Sequence, residues 1–105
     1  MTKKIVPNRI TLEEIQRILQ ELMPALKQEY QVKSLGIFGS YVRRENKAKS
    51  DLDLLIEFER APTMFGFLRL ERHLTDTLGV KVDLVMKTAL KPDIGKYILA
   101  EVIPV

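Results

Sequence analysis

Asp51 and Asp53 stand one residue apart at the head of the apolar run Asp51-Leu52-Asp53-Leu54-Leu55-Ile56. Ten residues, Tyr41 to Ser50, separate them from the dipeptide Gly39-Ser40, which closes the stretch Ile37-Phe38-Gly39-Ser40. The pattern reads as strand, small-residue turn, loop, strand. Successive strand side chains point to opposite faces, so Asp51 and Asp53 share one face while Leu52, Leu54 and Ile56 share the other. Neighbouring like charges on a dry surface repel and resist desolvation, and a divalent cation compensates them. Val80-Lys81-Val82-Asp83-Leu84-Val85 reads as a further strand, with Lys81, Asp83 and Val85 on one face. If it pairs beside the first, Asp83 joins the two acids. Three such carboxylates suit Mg²⁺, or Mn²⁺, which take oxygen ligands and complete their shells with water and substrate phosphates. Two such ions clamp the attacking and leaving oxygens of an in-line displacement at phosphorus.

The turn supplies the complementary half. Gly39 permits a backbone conformation closed to other residues and lets a ligand approach the main chain. Ser40 is placed to cap a short helix over Tyr41 to Glu45, whose N-terminal amides would favour phosphate oxygens. Arg43 follows within that turn and offers a planar donor fork to phosphate.

Each element alone has a plain reading. A Gly-Ser turn is commonly only a turn, Asp-x-Asp recurs by chance, and Lys81 could neutralise Asp83 as a structural ion pair. Joined in order they are specific, and they resemble the DNA polymerase β-like nucleotidyltransferase superfamily, whose hallmark is Gly-Ser, a spacer, Asp-x-Asp and a later third Asp. The segment from about residue 33 to 85 carries the likeness. It is most similar to the minimal nucleotidyltransferase branch, the antitoxin partners of HEPN-domain toxins, with Gly-Ser-x-x-Arg-Gly followed by Ser-Asp-x-Asp-Leu. Gly39, Ser40, Arg43, Ser50, Asp51, Asp53 and Leu54 match, and Asp83 matches the third acid. Arg44 departs, standing where that branch more often has glycine.

The resemblance implies transfer of AMP from Mg-ATP to a tyrosine hydroxyl of a HEPN-domain toxin, which adenylylation silences. It implies that Asp51, Asp53 and Asp83 hold the metal ions, with Asp83 activating the acceptor oxygen as ligand or general base. Gly39 and Ser40 would cradle the β,γ-phosphates and Arg43 would neutralise charge. A second reading is an antitoxin that masks its partner without turnover, using Phe65 to Leu70 or Tyr97 to Val105. A third is a small-molecule nucleotidyltransferase, which usually needs a substrate-binding domain for which this chain has no room.

The elements that must position these residues follow from periodicity. At 105 residues and 46% hydrophobic, the chain supports one domain, residues 1–105, around one core. Thr11 and Glu14 match a capping box for a first helix whose apolar stripe is Leu12, Ile15, Ile18, Leu19, Leu22 and Leu26. Pro24 should kink or divide it. A second helix spans about Thr63 to Leu78, with Phe67, Leu70, Leu74 and Leu78 on one side and Gly79 as its stop. Pro92 starts a third, with Ile94, Ile98 and Val102 along one face. The expected fold is α/β of the α+β kind: a small mixed sheet of three or four strands, helices mainly on one face, acids on the other, more open, face.

Other signals are bland. The net charge of +3 is mild, and the basic stretch Arg43 to Lys49 reads as a solvated loop that could also attract a triphosphate. No aromatic-interleaved basic surface points to nucleic acid. No stretch is long enough to span a membrane, and Met1 to Pro7 is too short in its apolar part for a signal peptide, so the cytoplasm is expected. With no cysteine, disulfides and thiolate metal sites are excluded. His73 reads as a surface residue, Tyr41 as a nucleotide contact or a packed lid, and Met64, Phe65 and Phe67 as core in preference to a nucleotide or partner surface.

Overall fold

The computed structural model describes residues 10–105, so the reading of Met1 to Pro7 lies outside the described residues. The elements are α1 (Leu12–Tyr30), β1 (Val32–Phe38), α2 (Ser40–Arg43), β2 (Leu52–Phe58), α3 (Met64–Leu78), β3 (Val82–Met86), a 3-10 turn at Lys87–Ala89, α4 (Pro92–Glu101) and β4 (Ile103–Pro104). The strand order is β3-β2-β1-β4. β1 runs antiparallel to β2 and β4, and β2 runs parallel to β3, so the sheet is mixed as expected.

Local chemistry explains the helix ends. The Thr11 hydroxyl accepts the Glu14 amide at 3.1 Å while the Glu14 carboxylate accepts the Thr11 amide at 3.0 Å, completing the capping box. Thr63 caps α3 by accepting the Gly66 amide at 3.0 Å, and Gly79 closes it with φ 76. Pro24 does not divide α1, which runs through it. Both Pro24 and Gln20, whose carbonyl loses its donor, lie on the exposed side, where water can take that carbonyl. Buried Leu19 and Leu26 hold the turns on either side.

One face of the sheet carries the core. Leu12, Ile15, Leu19 and Leu26 of α1 and Leu70, Leu74 and Leu78 of α3 pack against Leu35, Ile37, Leu52, Leu54, Ile56, Val82 and Leu84. α3 also guards the outer edge of β3: Thr75 accepts the Val82 amide at 3.0 Å and Glu71 accepts the Leu84 amide at 2.9 Å. Side chains thus occupy donors that would otherwise template another strand. Among the described residues no helix is long and apolar enough to cross a membrane.

The opposite face is less open than expected. Pro92 does begin α4, but Ile94 is exposed, as are Tyr97 and Leu99. At the C-terminal end of the helix its cap residue, Val102, lies over Gly36. A β-carbon on Gly36 would stand 2.5 Å from Val102 Cγ2, so only glycine admits the contact. The chain then pairs as β4 along β1, placing Ile103 opposite Ile37.

Candidate active site

β2 and β3 run parallel with Asp53 and Asp83 in register as direct partners, so the two acids face the same side. Phe38, at the end of β1, is the register partner of Asp53 and also shares that side. Asp51 precedes β2 with its side chain 44% exposed, and its carboxylate lies 3.9 Å from Lys81 Nζ. Lys81 therefore pairs with Asp51 rather than with Asp83, the partner its shared strand face suggested. The acid set stands at one end of the parallel pair, beside the turn that ends β1.

Asp53 is the most perturbed acid. Burial pushes its carboxyl from 3.8 up to about 6, the charges of Asp83 and Asp51 push the same way, and Arg43 partly opposes them. Negative charge is thus undercompensated where the strands meet. Among the described residues no three acidic or histidine side chains close into a ready-made cage, in keeping with the lean of Asp51 towards Lys81. The donor set is all oxygen and electrostatically short of cation, which fits Mg²⁺ or Mn²⁺ with water and phosphate completing the shell.

Gly39 sits at φ 84, ψ −154, in the left-handed half of backbone space that other residues avoid. A β-carbon there would collide with the Asp53 carboxylate, whose Cγ would lie 3.0 Å away. Gly39 is therefore required twice, by its dihedrals and by its acidic neighbour. Gly39, not Ser40, occupies the cap position of α2; Ser40 is the first helical residue and its hydroxyl makes no capping bond. The cap expected of Ser40 is lost because the turn at Gly39 already starts the helix, with its carbonyl accepting the Val42 amide at 3.0 Å.

Arg43 closes α2 and is not a loose donor. Its Nε donates to Glu45 at 2.9 Å and its Nη1 to Glu101 at 2.8 Å. The other oxygen of Glu101 accepts the Gly39 amide at 2.8 Å. Burial pushes Glu101 up, but the bonds from Arg43 and Gly39 outweigh it and hold the carboxyl below its usual range. Arg44 adopts φ 58, a conformation natural to glycine, and its guanidinium pairs with Glu13 at 2.6 Å. The basic stretch is thus partly neutralised by acids. Tyr41 is buried and packs into the core.

Sequence reasoning missed Glu101 and Glu45. A lone acid within Ile98-Leu99-Ala100-Glu101-Val102-Ile103 was the available signal, since a charge among apolar residues needs a partner. It also missed a cavity of about 190 Å³ on the acid face, lined by Gly36, Leu55, Glu57, Leu99, Val102 and Pro104. That volume is too small to enclose a whole nucleotide. His73 stays at the surface, stacked on Tyr30 at 6.3 Å between ring centres. Phe67 packs on Phe58, whereas Met64 and Phe65 are exposed and not core as expected.

Residues 19–105 match the nucleotidyltransferase domain family. The chain belongs to that family. It is 47% identical over 94 residues to the protein adenylyltransferase MntA of Thermococcus cleftensis, covering 90% of this chain and 95% of that protein. Among solved structures it is similar to one described as a minimal nucleotidyltransferase, at 34% identity and TM-score 0.77, covering 94% of this chain and 100% of that one. It also shares the fold of the MNT antitoxin in complex with a tri-AMPylated HEPN toxin of Shewanella oneidensis. That match has 16% identity and TM-score 0.61, covering 85% of this chain and 70% of that one. The resemblance read from the motif is therefore correct at the level of family, and the relatives are adenylyltransferases.

Proposed function

We propose that this nucleotidyltransferase moves AMP from ATP to a tyrosine hydroxyl of a HEPN-domain toxin and so acts as its antitoxin in the cytoplasm. The observation that carries the reading is the registered pair Asp53 and Asp83 beside the Gly39 turn, with burial and mutual repulsion leaving Asp53 short of positive charge. The name of the Thermococcus relative and the AMPylated toxin of the Shewanella complex support the substrate and the partner.

Asp51, Asp53 and Asp83 would hold Mg²⁺ or Mn²⁺, two ions in the full site, and these would neutralise triphosphate charge and stabilise in-line displacement at phosphorus. Gly39 and Ser40 receive the β,γ-phosphates, and Arg43 has three N–H donors left after those given to Glu45 and Glu101. The acceptor oxygen attacks the α-phosphorus and the bond to the α,β-bridging oxygen breaks. Pyrophosphate departs, and the hydroxyl proton passes to the Asp83 carboxylate. Rate enhancement rests on positioning and electrostatics, as phosphoryl transfer requires.

Masking without turnover is the competing reading, favoured by the exposed Met64, Phe65 and Leu68 on α3 and Ile94, Tyr97 and Leu99 on α4. Incubation of the chain with ATP, Mg²⁺ and its HEPN partner, followed by intact mass of both proteins, separates the two. AMP adducts on a partner tyrosine, absent without ATP, are expected; a neutralised partner of unchanged mass would defeat the proposal.

A further inference from the structure

Glu101 comes from the last turn of α4, far along the chain from the turn it touches, yet it ties together two groups assigned above to the triphosphate. One carboxylate oxygen accepts the Gly39 amide at 2.8 Å and the other accepts Arg43 Nη1 at 2.8 Å. Gly39 is thus held from two sides, with Asp53 filling the space a β-carbon would need and Glu101 on its amide. Arg43 is held between Glu101 and Glu45, which fixes the plane of its guanidinium. The anchor is the sheltered member: the Glu101 side chain is 22% exposed and that of Arg43 48%.

A carboxylate on such donors could be a brace that orients them or an occupant that competes with phosphate for them. The attachment of Glu101 favours the brace. The next residue, Val102, packs over Gly36, and the chain then pairs as β4 with β1 and ends with the Val105 amide donating to Leu35 at 2.9 Å. These contacts fix the main chain at Glu101, so its carboxylate is held out to both donors at once. An occupant must leave easily, whereas a brace must stay.

We infer that Glu101 is a positioning residue for nucleotidyl transfer, setting the Gly39 turn and the Arg43 guanidinium so that both meet the triphosphate without rearrangement. The inference rests on the nucleotidyl-transfer reading. The fourth acid near the metal-binding set is then the strut of the phosphate side, and not a further ligand.

The test is the affinity of the whole chain for a non-hydrolysable ATP analogue with Mg²⁺, and for AMP, in wild type and Glu101→Gln. The variant keeps the size of the side chain but cannot accept from both donors. The expected result is about a tenfold rise in Kd for the analogue, the equivalent of one charge-assisted hydrogen bond, with AMP affinity nearly unchanged. In an Arg43→Ala background the effect of Glu101→Gln should shrink, because the two act through one network. Unchanged or tighter binding of the analogue by Glu101→Gln would overturn the inference while leaving nucleotidyl transfer standing. No binding by the wild type would overturn the underlying reading and this one with it. Should the variant fold poorly, a crystal structure of the wild type with the analogue and Mg²⁺ decides: a brace keeps the Glu101 carboxylate on the Gly39 amide and Arg43, and a carboxylate displaced from them by phosphate refutes it.

Discussion

Replacing Asp53 by asparagine should stabilise the metal-free protein at neutral pH while abolishing transfer. In the folded chain burial, then Asp83 and Asp51, raise the Asp53 carboxyl from 3.8 to about 6. An acid raised on folding is disfavoured in its ionised form, so it carries a penalty in the native state alone. The penalty is absent below the unfolded value, grows as pH rises through the window between 3.8 and about 6, and is complete above it. At 1.36 kcal/mol per pH unit the full rise corresponds to about 3 kcal/mol. Asp53 is half-buried and water reaches it, so screening reduces the figure to roughly 1–2 kcal/mol. For a chain of this size that is about 5–10 °C in melting temperature. The assay is urea or thermal unfolding of wild type and Asp53→Asn in EDTA at pH 4 and pH 7.5. The variant should match wild type at pH 4 and exceed it at pH 7.5. Adding Mg²⁺ and ATP should reverse the order, because only wild type gains from binding. A variant less stable at pH 7.5, or shifted equally at both pH values, would refute the electrostatic account of the site.

Gly39→Ala should cost about 2 kcal/mol or more in unfolding free energy, since a β-carbon meets both the positive φ and the Asp53 carboxylate, and nucleotide binding should fall with it; equal stability in urea titration would show that the turn relaxes freely. The double variant Asp51→Asn, Asp53→Asn should still bind the HEPN partner in a pull-down but fail to protect cells, and full protection would favour masking. Glu71→Ala should lower stability by about 1 kcal/mol through the unpaired Leu84 amide, with Kd for an ATP analogue unchanged; a change in that Kd would mean the β3 edge is coupled to the site.

Much of the site was legible because its parts are local in sequence. The Gly-Ser turn and Asp-x-Asp declare themselves through backbone freedom and strand alternation, and Gly79 and Thr11 mark helix ends by capping chemistry. The apolar stripes of α1 and α3 name their buried faces, because helical period and hydrophobic burial act within a single element. Pro24 shows where such local rules yield: tertiary packing of Leu19 and Leu26 keeps one helix where the residue alone argues for two.

What the sequence by itself determined is the set of acids, the flexible turn and the elements that carry them. The tertiary structure alone decided how they meet. The parallel register of β2 and β3 sets Asp53 against Asp83, and strand order is a matter of long-range pairing that no local pattern encodes. Lys81, which stands just before the strand of Asp83, turns to Asp51, because ion pairs form by distance in space. Glu101 reaches Gly39 and Arg43 only because β4 returns along β1 and brings the end of α4 over Gly36, a closure that apolar periodicity could not announce. The raised carboxyl of Asp53 has the same origin: desolvation and like-charge repulsion belong to the assembled surface, and no single strand possesses them.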